Sequence, residues 1–232
     1  MHDPSQKTLA GVPLLEDLPD LVRQRYEGVC IWKSCQPDQE IIGRESGSRD
    51  VFFVVAGTVR IVNYSFSGRE VSYEDIGAGQ LFGELAAIDG KPRSASVISL
   101  DESLLAMMPA GAFLKLVTEN PPISHAMMQR LAEIIRASTD RIMDLSTVGA
   151  HNRVYAELLR LARPTLNESG RAEILPIPVH ADIASRVSTT RESVARAISE
   201  LIKKKLVERK GNGLVILDFM QLEDIVLEFR NY

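Results

Sequence analysis

The sequence predicts an α+β protein in three parts. Residues 1–121 form a β jelly roll (a double-stranded β-helix), 122–150 a long helix with a hinge, and 151–232 a winged helix-turn-helix. Three observations carry this. Eleven of the 15 glycines fall at or before residue 111, where they punctuate short apolar runs. After Pro121-Pro122 the texture becomes helical, with no proline and a single glycine from Ile123 to Ala150. Charge is also uneven: residues 1–150 carry 14 Lys/Arg against 20 Asp/Glu, whereas 179–213 carry eight against four.

The β segments come first. Val51-Phe52-Phe53-Val54-Val55 ends at Gly57, Val59-Arg60-Ile61-Val62-Asn63-Tyr64 at Ser67-Gly68, and Val71-Ser72-Tyr73 before Gly77 and Gly79. β-Branched and aromatic runs with turn signals every ~8–12 residues predict a sandwich or jelly roll. Ser94 to Leu105 supplies a further strand pair turning at Asp101-Glu102.

Proline suits the first turn of a helix, so Pro121-Pro122 opens the next element. Met128, Leu131, Ile135, Ile142 and Leu145 alternate steps of three and four, the spacing of a coiled-coil seam. Ser138 interrupts that stripe with Thr139 beside it, and two readings stand: a register-setting polar residue, or a polar group lying against the seam at that height. A long seam on one helix predicts a symmetric homodimer. Gly149 and Asn152 mark a hinge, and a helix follows from Arg153 through Leu161. Pro164 to Ala172 is a polar loop.

Val179–Val187 reads as a short helix with Ala181, Ile183, Ala184 and Val187 inward. Ser188-Thr189-Thr190 makes a turn. Arg191–Lys205 reads as a second helix with Val194, Ala197, Ile198, Leu201 and Ile202 as its buried stripe, and Thr189-x-x-Glu192 fits a capping box. Two helices across a three-residue turn in a basic region predict a helix-turn-helix. Arg191, Glu192 and Arg196 lie on the opposite face of the second helix, where side chains reach base edges. Arginine pairs bidentately with guanine and glutamate accepts from cytosine. Leu206–Leu217, with Gly211-Asn212-Gly213 at its tip, reads as a hairpin wing.

The richest motif is Phe82-Gly83-Glu84-Leu85 followed by Pro92-Arg93-Ser94-Ala95. It reads as a glycine-turned loop holding one carboxylate and one guanidinium. A carboxylate is a poor partner for a bare phosphate but suits a ligand with a ribose hydroxyl beside its phosphate. Glu84 accepts from the 2′-OH, while Arg93 and backbone N–H groups near Ser94 and Ala95 hold the phosphate. The implied ligand is a cyclic nucleotide.

Composition narrows the alternatives. Net charge is −4, so the chain as a whole is not basic. Cys30 and Cys35 have no His or Cys cluster near them in sequence, which argues for ordinary thiols in a reduced compartment. The four histidines are scattered and predict no metal site. Met1-His2-Asp3-Pro4 opens no signal peptide, and no apolar run approaches the ~18 residues of a membrane helix. The expectation is a cytoplasmic protein with no membrane partner. No nucleophile–base pair stands out, so the reading is not an enzyme.

These pieces, in this order, resemble the cyclic AMP receptor protein (catabolite activator) family of bacterial transcription regulators, the CRP/FNR group. Gly83, Glu84 and Leu85 with Arg93, Ser94 and Ala95 match its ribose and phosphate contacts. Ser138 and Thr139 fall where the family places seam-helix hydroxyls that read the base, one from each subunit. Thr190, Arg191, Glu192 and Arg196 match its DNA readers. The resemblance implies a homodimer on a pseudo-palindromic operator of double-stranded DNA, a contact with RNA polymerase at the Pro164–Ala172 loop, and cyclic AMP as allosteric ligand, with cyclic GMP left open. Two positions depart: Ile134 stands where nucleotide-binding members often carry an arginine, and Ser188 where the turn often has glycine. The competing readings are a regulator of this fold that ignores nucleotide or senses haem or redox state, and a nucleotide-binding module of an enzyme or channel.

Overall fold

A computed structural model describes residues 7–65, 68 and 70–230. The N-terminal Met1-His2-Asp3-Pro4 and Ser67, half of the expected Ser67-Gly68 turn, lie outside the described residues. The chain divides into two compact units, residues 1–134 and 135–232.

In the first unit, helix α1 (Asp20–Glu27) precedes eight strands: β1 (Ile31–Cys35), β2 (Glu40–Ile42), β3 (Val51–Ala56), β4 (Thr58–Tyr64), β5 (Glu70–Gly77), β6 (Leu81–Phe82), β7 (Ser96–Ser99) and β8 (Ser103–Met108). Between β6 and β7 lies a short helix, α2 (Glu84–Asp89), and after β8 come α3 (Ala110–Glu119) and the 27-residue α4 (Pro121–Thr147). Two four-stranded antiparallel sheets, ordered β1-β8-β3-β6 and β2-β7-β4-β5, make the jelly roll.

The continuous apolar run of β3 follows from its position. Successive side chains of a strand point to opposite faces. Phe52 and Val54 therefore enter the core between the sheets, with Ile42, Val59, Ile76, Phe82, Val97 and Leu105. Val51 and Phe53 enter a second core, against Tyr26 of α1, Phe113 and Leu116 of α3, and Ile123 and Met127 in the first turns of α4. A strand covered on both faces needs no polar positions. Phe52 and Phe82 stack with centroids 5.0 Å apart, which ties β3 to β6 directly before Gly83.

The second unit contains the C-terminal part of α4, then α5 (Ala150–Ala162), β9 (Ala172–Ile174), α6 (His180–Arg186), α7 (Arg191–Lys203), β10 (Val207–Lys210), β11 (Gly213–Ile216) and α8 (Phe219–Arg230). Its core joins Val154, Leu158 and Ala162 of α5 to Ile183 of α6, Val194, Ala197 and Leu201 of α7, and Phe219 and Leu222 of α8. β10 and β11 form the expected wing hairpin, and β9 adds a third antiparallel strand on the far side of β11.

Several expectations are corrected here. The break after α4 is confined to Val148 and Gly149; Asn152 lies inside α5, because Gly149 in extended conformation already serves as that helix's N-cap. Ile202 is not part of the buried stripe of α7 but 36% exposed, since the helix turns away from its core in the last turn. The segment after Gly83 is not all loop: Glu84–Asp89 is helical, bounded by Gly83 and Gly90 at φ 86° and 72°. No helix among the described residues is long and apolar enough to cross a membrane.

Phe53 is fully buried. Phe53→Ala is expected to destabilise the first unit by about 3–5 kcal/mol through lost burial and a residual cavity. Urea unfolding should show a lower midpoint at unchanged m-value; a cost below about 1 kcal/mol would place Phe53 outside the core.

Candidate functional site

Arg93 is 4% exposed, and its guanidinium is fixed on three sides. Nη1 donates to Gly83 O at 2.8 Å, Nη2 to Asp50 O at 2.6 Å, and Nε to Ser48 Oγ at 3.2 Å. Its carbon lies 6.0 Å from the Phe52 ring centroid. The main chain is held as well, with Arg93 N donating to Ser46 O and Glu45 N to Arg93 O. A guanidinium has five N–H groups, so one on each Nη remains for a ligand. Burial lowers the Arg93 pKa, but the group stays charged because the carbonyls around it replace water.

Gly83 is required by two constraints. Its φ of 86° is unfavourable for an L side chain, and a Cβ there would sit 2.7 Å from Arg93 Nη1 and 3.0 Å from Asp50 O. The residue caps α2, whose first position is Glu84. Glu84 is 6% exposed. Burial raises its pKa above the usual carboxylate range; a hydrogen bond from its own backbone N–H and the charges of Arg130 and Arg93 oppose the rise, and Glu74 adds to it. A buried anion and a buried cation thus share the β6–α2 corner without a direct salt bridge, each with capacity for an outside partner.

The remaining cassette residues rim this corner. Leu85 is exposed on α2, Ser94 is exposed, and Ala95 is half-buried. Asn63 of β4 donates from Nδ2 to Ser94 O and to Tyr73 Oη, both at 3.2 Å, which anchors the loop that follows Arg93. Sequence reasoning did not find Ser48, Asp50 or Asn63, because two act through backbone carbonyls or a hydroxyl distant in sequence and the third by a side-chain bond across strands.

Ser138 and Thr139 are exposed on α4, and Thr139 Oγ1 donates to Ile135 O at 3.0 Å. Met128, Ile135 and Ile142 on the same helix are each more than 60% exposed, and Leu145 is 41% exposed.

In the second unit, Arg191, Glu192 and Arg196 are exposed on the first two turns of α7. The N-cap is Thr190, not Thr189: Thr190 Oγ1 accepts from Ser193 N at 3.2 Å. The cap shifts because the chain becomes helical only at Arg191, which makes Ser193 the third helical position. The Glu192 backbone N–H and the Thr190 hydroxyl, then Arg196 and Arg191, lower the Glu192 pKa, so it is a firm carboxylate acceptor.

The turn before α7 relies on arginines that the sequence did not single out. Ser188 adopts φ 50°, and its carbonyl accepts from Arg153 Nη2 at 3.2 Å. Arg153 Nε donates to Val187 O at 2.9 Å and Nη1 to Val148 O at 2.7 Å, while Arg141 of α4 donates to Arg186 O. The last carbonyls of a helix lack intrahelical partners, and here guanidinium groups supply them. That explains how serine fills a left-handed position that glycine commonly holds. Arg186 is itself buried and pairs with Glu157, which also takes a bidentate contact from Arg160.

The fold and the two sites define a DNA-binding transcription regulator with a cyclic nucleotide-binding domain. A family model described as a cyclic nucleotide-binding domain matches residues 32–120, and one described as a Crp-like helix-turn-helix domain matches residues 152–225. The cyclic AMP receptor protein of Thermus thermophilus is 30% identical over 176 residues, 75% of this chain and 78% of that one. The CRP-like cAMP-activated global transcriptional regulator of Mycobacterium tuberculosis is 27% identical over 179 residues, 77% of this chain and 80% of that one. Among solved structures, a CooA variant from Carboxydothermus hydrogenoformans superposes with a TM-score of 0.75 at 19% identity over 86% of this chain and 88% of that one. FixK2 from Bradyrhizobium japonicum gives a TM-score of 0.70 at 23% identity over 84% and 96%. The chain belongs to the CRP/FNR family of transcription regulators.

Gly83→Ala is expected to cost at least about 1–2 kcal/mol from backbone strain alone and to displace the Arg93 guanidinium. Leu85→Ala, on an exposed side chain, should be near neutral. Thermal unfolding of both variants checks this; equal stability would mean that the φ at Gly83 is not enforced.

Proposed function

We propose that this protein is a homodimeric regulator whose DNA affinity is set by a cyclic nucleotide, cyclic AMP in the first place, with cyclic GMP as a second candidate. One observation carries the reading: a buried guanidinium with spare N–H groups sits in the same corner as a buried carboxylate. A cyclic phosphate takes the former and a ribose 2′-OH donates to the latter. Gly83 and Leu85 shape the turn, and Ser94 and Ala95 offer backbone N–H groups to the phosphate.

The base then meets Ser138 of one chain and Thr139 of the other, across a seam formed by Met128, Ile135, Ile142 and Leu145. The exposed apolar face on α4 supports such a seam, because a helix stripe of this spacing is stable when a second helix covers it. Ligand that touches sensor and seam together favours one arrangement of the two heads, with a coupling of roughly 1–3 kcal/mol. In that arrangement two copies of α7 enter successive major grooves about 34 Å apart on a pseudo-palindromic site. Arg191 and Arg196 read guanine, Glu192 reads cytosine, and Thr190 contacts the backbone. The Pro164–Ala172 loop is the proposed contact for RNA polymerase.

One observation weighs against the redox-sensing alternative. Burial, with Glu27 nearby, pushes the Cys30 thiol up to about 12, and Cys35 is buried, so neither offers a reactive thiolate.

The test is titration calorimetry with cyclic AMP and cyclic GMP, followed by gel retardation on a duplex selected from random sequence. The wild-type chain should retard the duplex only with nucleotide. Arg93→Ala should bind nucleotide at least roughly 10-fold more weakly, since a charge-assisted bond is lost. Undiminished nucleotide-dependent retardation by that variant would refute the phosphate assignment.

A further inference from the structure

Asn63 carries an atom that neither the cassette nor the packing of β4 accounts for. Alternate side chains of a strand share a face. Val59 is buried in the core between the two sheets and Ile61 packs against the same core, so Asn63 takes the next inward position. It is half-buried, one residue before the strand ends at Tyr64. Its Nδ2 donates to Ser94 O at 3.2 Å, directly after Arg93, and to Tyr73 Oη at 3.2 Å. A backbone carbonyl only accepts, so the amide nitrogen faces Ser94 and the orientation of the group is fixed. The Tyr73 hydroxyl is aimed by a bulge: Ile61 pairs with Glu74 and Val62 with Ser72, which leaves Tyr73 as the extra residue of β5. The two bonds use both amide hydrogens. Oδ1 is buried and has no hydrogen-bond partner among the described residues.

Bracing Ser94 does not require that oxygen. A threonine would donate to the same carbonyl, suit a strand better and bury no amide oxygen. A buried acceptor left without a donor costs stability. A donor that arrives with a ligand explains why the oxygen is there. We propose that Asn63 is a specificity-determining residue for the nucleotide: its Oδ1 accepts a hydrogen bond from an exocyclic amino group of the base. This rests on the cyclic-nucleotide reading given above. There Arg93 and the N–H groups after it hold the phosphate, so a side chain bonded to Ser94 O lies beside the bound ligand. With both hydrogens engaged, the amide presents an acceptor alone. It takes the 6-amino group of adenine or the 2-amino group of guanine, and it disfavours a base that turns a carbonyl oxygen toward it.

The experiment measures, by calorimetry on the full chain, two pairs of cyclic nucleotides that differ by one amino group. Cyclic AMP is compared with the cyclic monophosphate of purine riboside, and cyclic GMP with cyclic IMP. In the wild-type chain the amino group should strengthen binding roughly 3- to 10-fold in one pair, the net worth of one neutral hydrogen bond, and that pair identifies the base. In Asn63→Leu the ratio should fall to within about twofold. Loss of the bond to Ser94 O weakens both members of a pair alike, so the change in ratio isolates the amino contact. A second readout needs no variant: the carbon-13 resonance of the Asn63 side-chain carbonyl should move more with the amino-bearing nucleotide than with its partner. A ratio near one in both wild-type pairs, a ratio unchanged in Asn63→Leu, or a carbonyl resonance that responds equally to both members would overturn the proposal and leave the phosphate and ribose contacts standing. Wild type that binds none of the four nucleotides would overturn the cyclic-nucleotide reading and this proposal with it.

Discussion

Burying a cation and an anion in one corner of a β sandwich is expensive, and the cost organises the first unit. Water around the Arg93 guanidinium is replaced by Gly83 O, Asp50 O and Ser48 Oγ, drawn from two separate stretches of chain. Gly83 must lack a Cβ for that carbonyl and the guanidinium to approach. Phe52 and Phe82 must stack for β6 to end where Gly83 can turn the chain into α2. Glu84 receives less compensation, and its carboxyl is pushed toward neutrality by burial. An exposed pair would be worth little in water, whereas held out of solvent these charges favour a ligand that carries a complementary donor and acceptor.

A similar economy appears at the DNA-reading head. A helix end that lies inside a domain exposes carbonyls with no partner. In α6 those carbonyls are taken by Arg141 and Arg153, which fix the turn that aims α7. Arg191, Glu192 and Arg196, the proposed base readers, are exposed, while Thr190 carries the capping of their helix. Helix α4 takes part in both units by itself: Ile123 and Met127 enter the core of the first, and Arg141 holds the end of α6 in the second.

Much of this was legible in the residues. β3 and β4 follow from β-branched runs, and the two head helices from their apolar stripes with a polar turn between them. The cassette was legible because a glycine, a glutamate and an arginine at that spacing have few structural uses. What was not legible depends on contacts distant in sequence. β6 is only two residues long and exists because β3 pairs with it. α2 looked like loop because its six residues lie between two glycines. The expected cap at Thr189 lies one residue before the observed one because Thr189 and Thr190 are chemically alike, and only the path of the backbone separates them. Ser188 looked unsuited to its turn until Arg153, 35 residues earlier, was seen to hold its carbonyl.

The central claim is that Glu84 accepts a hydrogen bond from a ribose hydroxyl while Arg93 holds the phosphate. The most direct measurement compares the dissociation constants of cyclic AMP and 2′-deoxy cyclic AMP for the wild-type chain and for Glu84→Gln. A bond to a carboxylate is worth about 1.5–3 kcal/mol, so the deoxy analogue should bind wild type roughly 10- to 100-fold more weakly, with the difference much reduced in the variant. Equal affinity of both ligands for the wild-type chain would contradict the account.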